Sequence, residues 1–131
     1  MTAAEALDVL LVEDDEALAM LERESLEREG FRVIEARAGQ KALGCLADSR
    51  SLALLVLDYR LPDMTGADIV AHLGDRITSL PVVMVTGYPD PRIEARMRDA
   101  GVYDYIIKDM KLEFLDHLPR VAQAAIENRA G

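Results

Sequence analysis

The sequence has a single cysteine, so Cys45 cannot close a disulfide within the chain; this fits a reducing compartment, and a cytoplasmic protein is expected. No uninterrupted apolar run exceeds Leu52 to Leu57, far short of the roughly 20 residues that cross a bilayer, so no membrane association is expected. Met1-Thr2-Ala3-Ala4-Glu5 carries no cationic segment leading into an apolar one, so nothing there marks the chain for secretion. Positive charge is scarce as well: 15 Lys and Arg against 24 Asp and Glu leave a net charge of −9, which opposes approach to phosphate backbones. Direct binding of nucleic acid is therefore not expected. No repeat and no linker rich in Pro, Gly or Ser divides the 131 residues, which are read as one domain, 1–131, without an output domain. The partners this leaves are proteins, cations or a phosphoryl donor.

Half of the residues are apolar, and they come in short runs: Val9-Leu10-Leu11-Val12, Leu52 to Leu57, Val82-Val83-Met84-Val85 and Ile106-Ile107, with the more alternating Phe31 to Glu35. Such runs suit strands covered on both faces. Between them lie stretches of helical spacing: Leu18, Leu21 and Leu26; Ala42, Leu43 and Leu46; Ile69, Val70 and Leu73; Ile93, Met97 and Ala100. Gly30 and Gly101 stand where a left-handed residue would end a helix before the next strand. Five alternations of strand and helix predict an α/β fold with a parallel sheet flanked by helices. In the last stretch, Leu112 to Arg129, Pro119 predicts a kink, or a late start with proline in the first turn of a helix ending near Asn128.

Ligands of open parallel sheets gather at the carboxyl ends of the strands. The first run ends in Glu13-Asp14-Asp15, the third in Asp58, the fourth in Thr86-Gly87 and the fifth in Lys108. Any one of these has a plain structural reading, as a helix cap, a turn residue or a solvated charge. Together they deliver carboxylates, a hydroxyl and an ammonium to one sheet edge. Close carboxylates repel unless a cation shares them, and Glu13, Asp14 and Asp58 form a plausible incomplete shell for Mg2+, with open positions for a phosphoryl group. Asp58 would then be the nucleophile, Lys108 would pair with a phosphoryl oxygen, and the Thr86 hydroxyl would donate to another.

These residues resemble the response-regulator receiver domains of two-component signalling. The resemblance is carried by Leu10 to Asp15, Leu57 to Gly66, Val85-Thr86-Gly87 and Ala100 to Lys108, four motifs in order that are specific only in combination. It implies a flavodoxin-like sheet of order 2-1-3-4-5 and phosphorylation of Asp58 by a histidine kinase or a histidine phosphotransfer protein. It also implies that Glu13, Asp14, Asp58 and the Arg60 backbone carbonyl bind Mg2+, and that Thr86 and Tyr105 are switch residues. The output would be a change in the face formed by the fourth helix, fifth strand and fifth helix, read by a downstream protein target or by a second copy in a phosphorylation-dependent homodimer.

The chain departs from the family pattern in places. Asp109 follows Lys108 where the family has proline, so the family's cis peptide is not assumed. Arg60 and Tyr88 fall at variable positions that influence how water reaches the phosphoryl group, and Tyr88-Pro89-Asp90-Pro91 stiffens the approach to the fourth helix. His72 and His117 read as surface residues and Cys45 as a buried, unreactive thiol. Glu22-Arg23-Glu24 with Glu27-Arg28-Glu29 reads as a solvated helix face laced with opposite charges. Alternative readings are a receiver segment of a larger regulator or hybrid kinase, a phosphorylation-independent scaffold, and a Mg2+-dependent phosphatase. A phosphatase usually needs a second Asp two residues after the nucleophile, where this chain has Arg60, so a non-enzymatic signalling module is expected. A nucleotide or flavin binder lacks support, since the first turn is acidic and has no Gly-rich cradle.

Overall fold

The runs without polar interruption become the centre of the molecule. In the computed structural model, which describes residues 6–129, five strands alternate with five helices: β1 (Asp8–Val12), α1 (Glu16–Arg28), β2 (Arg32–Ala36), α2 (Gly39–Asp48), β3 (Leu52–Asp58), α3 (Gly66–Leu73), β4 (Val82–Thr86), α4 (Pro91–Asp99), β5 (Asp104–Ile107) and α5 (Phe114–Glu127). A short 3-10 turn, Gly74–Thr78, follows α3. The strands pair in parallel in the order β2-β1-β3-β4-β5. This is the flavodoxin-like topology that the family resemblance implied. The central strand β3 is buried along its whole length.

Because successive strand residues face opposite ways, the sheet feeds two cores. Leu10, Leu55, Leu57 and Met84 pack with Ala42, Leu46, Ile69 and Met97 under α2, α3 and α4. Val9, Leu11, Val56 and Val85 pack with Leu26, Phe114, Leu118 and Ala122 under α1 and α5. Gly30 (φ 93°) and Gly101 (φ 108°) end α1 and α4 in the left-handed conformation, as their positions suggested. Asp90 caps α4 by accepting from Arg92 N at 2.9 Å, and Pro91 occupies the first turn, where no N–H is needed.

Two sequence expectations are corrected by α1 and α5. The stripe that α1 buries includes Ala19, Glu22, Ser25 and Leu26, whereas Leu18 and Leu21 are only partly covered. Glu22 is therefore not part of the solvated face: lying three residues after Ala19 and four before Leu26, it points into the protein and is 1% exposed. The charged face is carried instead by Arg23 and Glu27, paired at 3.3 Å, with Arg23 also reaching Glu35 on β2.

Pro119 lies well inside α5, not in its first turn. Proline has no N–H for the carbonyl four residues earlier, that of Leu115. That carbonyl accepts from the Ser25 hydroxyl of α1 at 2.6 Å. The buried hydroxyl of α1 thus satisfies the freed backbone carbonyl of α5, and α5 continues past the proline. Asp109, in place of the family's proline, supports the start of α5: its carboxylate accepts from Glu113 N at 3.0 Å and Phe114 N at 2.8 Å. All peptide bonds among the described residues are trans. His72 and His117 are exposed and Cys45 is half-buried.

Candidate functional site

Four strand ends build one acidic cleft of about 530 Å3. Glu13 and Asp14 follow β1 directly, Asp58 is the last residue of β3, Thr86 the last of β4, and Lys108 follows β5. Parallel register brings these ends to the same edge, and a Lys108 N–H bond to the Thr86 carbonyl (2.8 Å) ties the last two together.

The Lys108 ammonium lies 2.6 Å from Glu13 Oε1 and 3.0 Å from Asp58 Oδ2. Carboxylate oxygens of Glu13, Asp14 and Asp58 all come within 4.8 Å of one another. Asp14 is exposed, while Glu13 and Asp58 are buried, so the cluster opens to solvent on one side only. A set of hard oxygen donors with an open side fits Mg2+, which takes few carboxylates and keeps other positions for water or phosphate oxygens.

Burial raises the Asp58 pKa, and the charge of Glu13 adds to this against the opposing pull of Lys108, which places it at about 6. Asp58 is thus ionised at neutral pH. Burial also pushes Glu13 up, but its bond to Lys108 and that residue's charge more than offset this, and its pKa is lowered. Lys108 loses some basicity to burial and regains more from its two carboxylate partners, so its pKa is raised.

Behind this trio lies Glu22, which sequence patterning had placed on the surface. Burial and the negative charge of Glu13 raise its pKa to about 9, so it keeps its proton at neutral pH. Its Oε1 has no hydrogen-bond partner. The acidic run on α1 carried no sign that one of its members would turn inward, since Glu is common on either side of an exposed helix stripe.

Thr86 is buried, and its hydroxyl oxygen accepts from Tyr88 N at 3.1 Å, which leaves its own proton free to donate. Tyr105 is 6% exposed, with its ring turned into the core beside Met84 and Met97 and its hydroxyl without a hydrogen-bond partner. The Arg60 guanidinium stacks on the Tyr88 ring, 4.4 Å from its centroid, and both residues line the cleft. The Arg60 backbone N–H points back to Asp58 Oδ1 at 3.3 Å. Asp63, in the loop that follows Asp58, accepts two backbone N–H groups of α2, from Gly39 (2.7 Å) and Gln40 (2.9 Å).

Residues 9–118 match the family model of the response regulator receiver domain. The chain is 32% identical over 106 residues to the polar-differentiation response regulator DivK of Brucella ovis, a match covering 79% of this chain and 85% of that protein. It is 35% identical over 109 residues to a cyclic di-GMP phosphodiesterase of Thermotoga maritima, covering 83% of this chain but only 29% of that protein's length. The non-phosphorylated HemR receiver domain from Leptospira biflexa superposes with a TM-score of 0.77 at 33% identity, over 88% of this chain and 94% of that one.

The chain belongs to the response regulator receiver domain family. It is a signalling domain of the two-component type. No helix among the described residues is long and apolar enough to cross a membrane.

Proposed function

We propose that this receiver accepts a phosphoryl group on Asp58 from the phosphohistidine of a histidine kinase or a histidine phosphotransfer protein, in a reaction that depends on Mg2+. The observation that carries this reading is the convergence on Asp58 of one ammonium, at 3.0 Å, and two further carboxylates whose oxygens share a 4.8 Å cluster with its own. An Asp58 oxygen attacks phosphorus, the O–P bond forms as the P–N bond breaks, and the electron pair of that bond leaves with the imidazole ring.

Asp58 is ionised for this at neutral pH, since its pKa is about 6. Lys108 pairs with a phosphoryl oxygen, and the free proton of the Thr86 hydroxyl is donated to another. Glu13, Asp14, Asp58 and the Arg60 carbonyl would hold Mg2+, which when bound offsets the charge of the phosphoryl oxygens against the acidic cleft. In the phosphorylated state the demand on Thr86 shifts β4 against Tyr105 on β5, and this biases the face formed by α4, β5 and α5. That face presents apolar surface to a downstream protein or a second copy at Ile107, the last residue of β5, which is 45% exposed.

The test is intact-protein mass spectrometry after incubation with acetyl phosphate and Mg2+. One phosphoryl adduct is expected, absent from Asp58→Asn and from a sample treated with EDTA. An adduct that persists in Asp58→Asn would overturn the assignment of the acceptor. Folded protein that binds Mg2+ and forms no adduct would favour the phosphorylation-independent scaffold.

A further inference from the structure

We propose that Asp63 is a positioning residue of the site: its carboxylate clamps the loop that follows Asp58 onto the N-terminus of α2, and so holds the Arg60 backbone carbonyl in place for a divalent cation. The inference rests on the reading of that carbonyl as a metal ligand.

The first N–H groups of a helix have no partner within it and need a cap. At α2 the residue before the helix is Ala38, whose side chain can accept nothing. The cap comes from 23 and 24 residues further along the chain, where both Asp63 oxygens are used, one on Gly39 N at 2.7 Å and one on Gln40 N at 2.9 Å. These donors hold the Asp63 carboxyl below its usual pKa, so it is an anion at the positive end of the α2 dipole. The next residue makes a second attachment. The Met64 side chain packs against Gly39 and fills the space where a Cβ there would sit.

The loop transmits this attachment because it is itself braced. Leu61 N donates to the Met64 carbonyl at 3.1 Å and Gly66 N to the Tyr59 carbonyl at 2.6 Å, and these two bonds set Arg60 opposite Thr65 in an isolated antiparallel bridge. Fixing Asp63 and Met64 therefore fixes Arg60. On the other side, Glu13 N donates to the Ala36 carbonyl at 3.1 Å, close before α2 begins. The clamp thus closes a ring that runs from Glu13 through the start of α2 to Asp63, Arg60 and back to Asp58. Carboxylates from β1 and β3 and a carbonyl from the loop are thereby held in one frame.

A simple helix cap would give the same hydrogen bonds, so the test separates the two roles. Three variants are compared with the wild-type chain: Asp63→Ala, Ala38→Ser, which supplies a local cap to α2, and the double variant. Melting temperature without metal reads the cap, calorimetric titration with Mg2+ reads the site, and amide hydrogen exchange over residues 59–66 reads the loop. Asp63→Ala is expected to melt lower and to bind Mg2+ about ten- to a hundredfold more weakly, as for other residues that orient metal ligands. The double variant is expected to recover the melting temperature while Mg2+ binding stays weak and loop exchange stays fast. Recovery of Mg2+ affinity together with melting temperature, or wild-type affinity in Asp63→Ala, would show that Asp63 only caps α2. Asp14→Ala separates the two readings: if it abolishes Mg2+ binding while Asp63→Ala does not, the clamp alone fails; if the wild-type chain binds no Mg2+, the metal site and the clamp fail together.

Discussion

The Lys108 ammonium sits closer to Glu13, at 2.6 Å, than to Asp58, at 3.0 Å. Lys108 therefore serves as counter-ion to the acidic cleft, and an arriving divalent cation competes with it. Two charges about 4 Å apart interact by about 1 kcal/mol in water and about 4 kcal/mol near a protein surface. Lys108→Ala should accordingly bind Mg2+ at least about fivefold more tightly, by titration calorimetry, while its phosphorylation by acetyl phosphate is lost or greatly slowed. Weaker Mg2+ binding in this variant would show that Lys108 organises the carboxylates more than it competes for them.

Ser25 and Leu115 make the second testable contact. Removing the hydroxyl in Ser25→Ala takes from the part-buried Leu115 carbonyl the donor that replaces the missing Pro119 N–H, which should cost about 1–3 kcal/mol in denaturant unfolding. In Ser25→Ala/Pro119→Ala the new N–H at position 119 can bond that carbonyl, so the serine substitution should cost less in this background than alone. Equal costs in both backgrounds would mean that the two residues are not coupled.

Glu22 should leave a signature in the pH dependence of stability. Its pKa is about 9 when folded against an ordinary value of 4.5, so the unfolded chain releases this proton at lower pH than the folded one. The stability tied to the bound proton is full below pH 4.5 and is lost as pH rises toward 9. Melting temperature should therefore decline over that window, and Glu22→Gln, which cannot ionise, should flatten the decline. Parallel profiles for the two proteins would place the proton elsewhere.

Arg60 and Tyr88, stacked on one another, line the cleft that holds Asp58. An exposed cation–π pair is worth about 0.5–1 kcal/mol. If the stack limits access of water, Tyr88→Ala should shorten the half-life of the phosphorylated protein about two- to fivefold, measured by loss of the phosphoryl adduct over time. An unchanged half-life would separate the stack from hydrolysis.

The strands and the edge of the site were legible because their signals are local. Continuous apolar residues from Leu52 to Leu57 suit a strand covered on both faces, and a polar residue ending each run marks where the strand leaves the core. The positions of Glu13, Asp58, Thr86 and Lys108 at one edge followed from that pattern and from parallel pairing. Glu22 was misplaced because its run carries charge at neighbouring positions on every side, so patterning could not tell which carboxylate α1 turns inward. The late start offered for α5 fails because the hydroxyl that satisfies the Leu115 carbonyl, left without a donor by Pro119, lies 90 residues before Leu115 in the chain.

The sequence by itself determined the α/β alternation, the parallel sheet and the set of polar groups at its carboxyl edge, because apolar continuity, helical spacing and strand-end chemistry are all written within short stretches of chain. Only the tertiary structure decided that Lys108 leans toward Glu13, that Glu22 is buried with its proton, that Ser25 satisfies the carbonyl freed by Pro119, and that Asp63 caps a helix begun by Ala38 and Gly39. Each of these depends on how closely one element docks against another, and docking is set by the packing of whole faces, to which residues far apart in the chain contribute together.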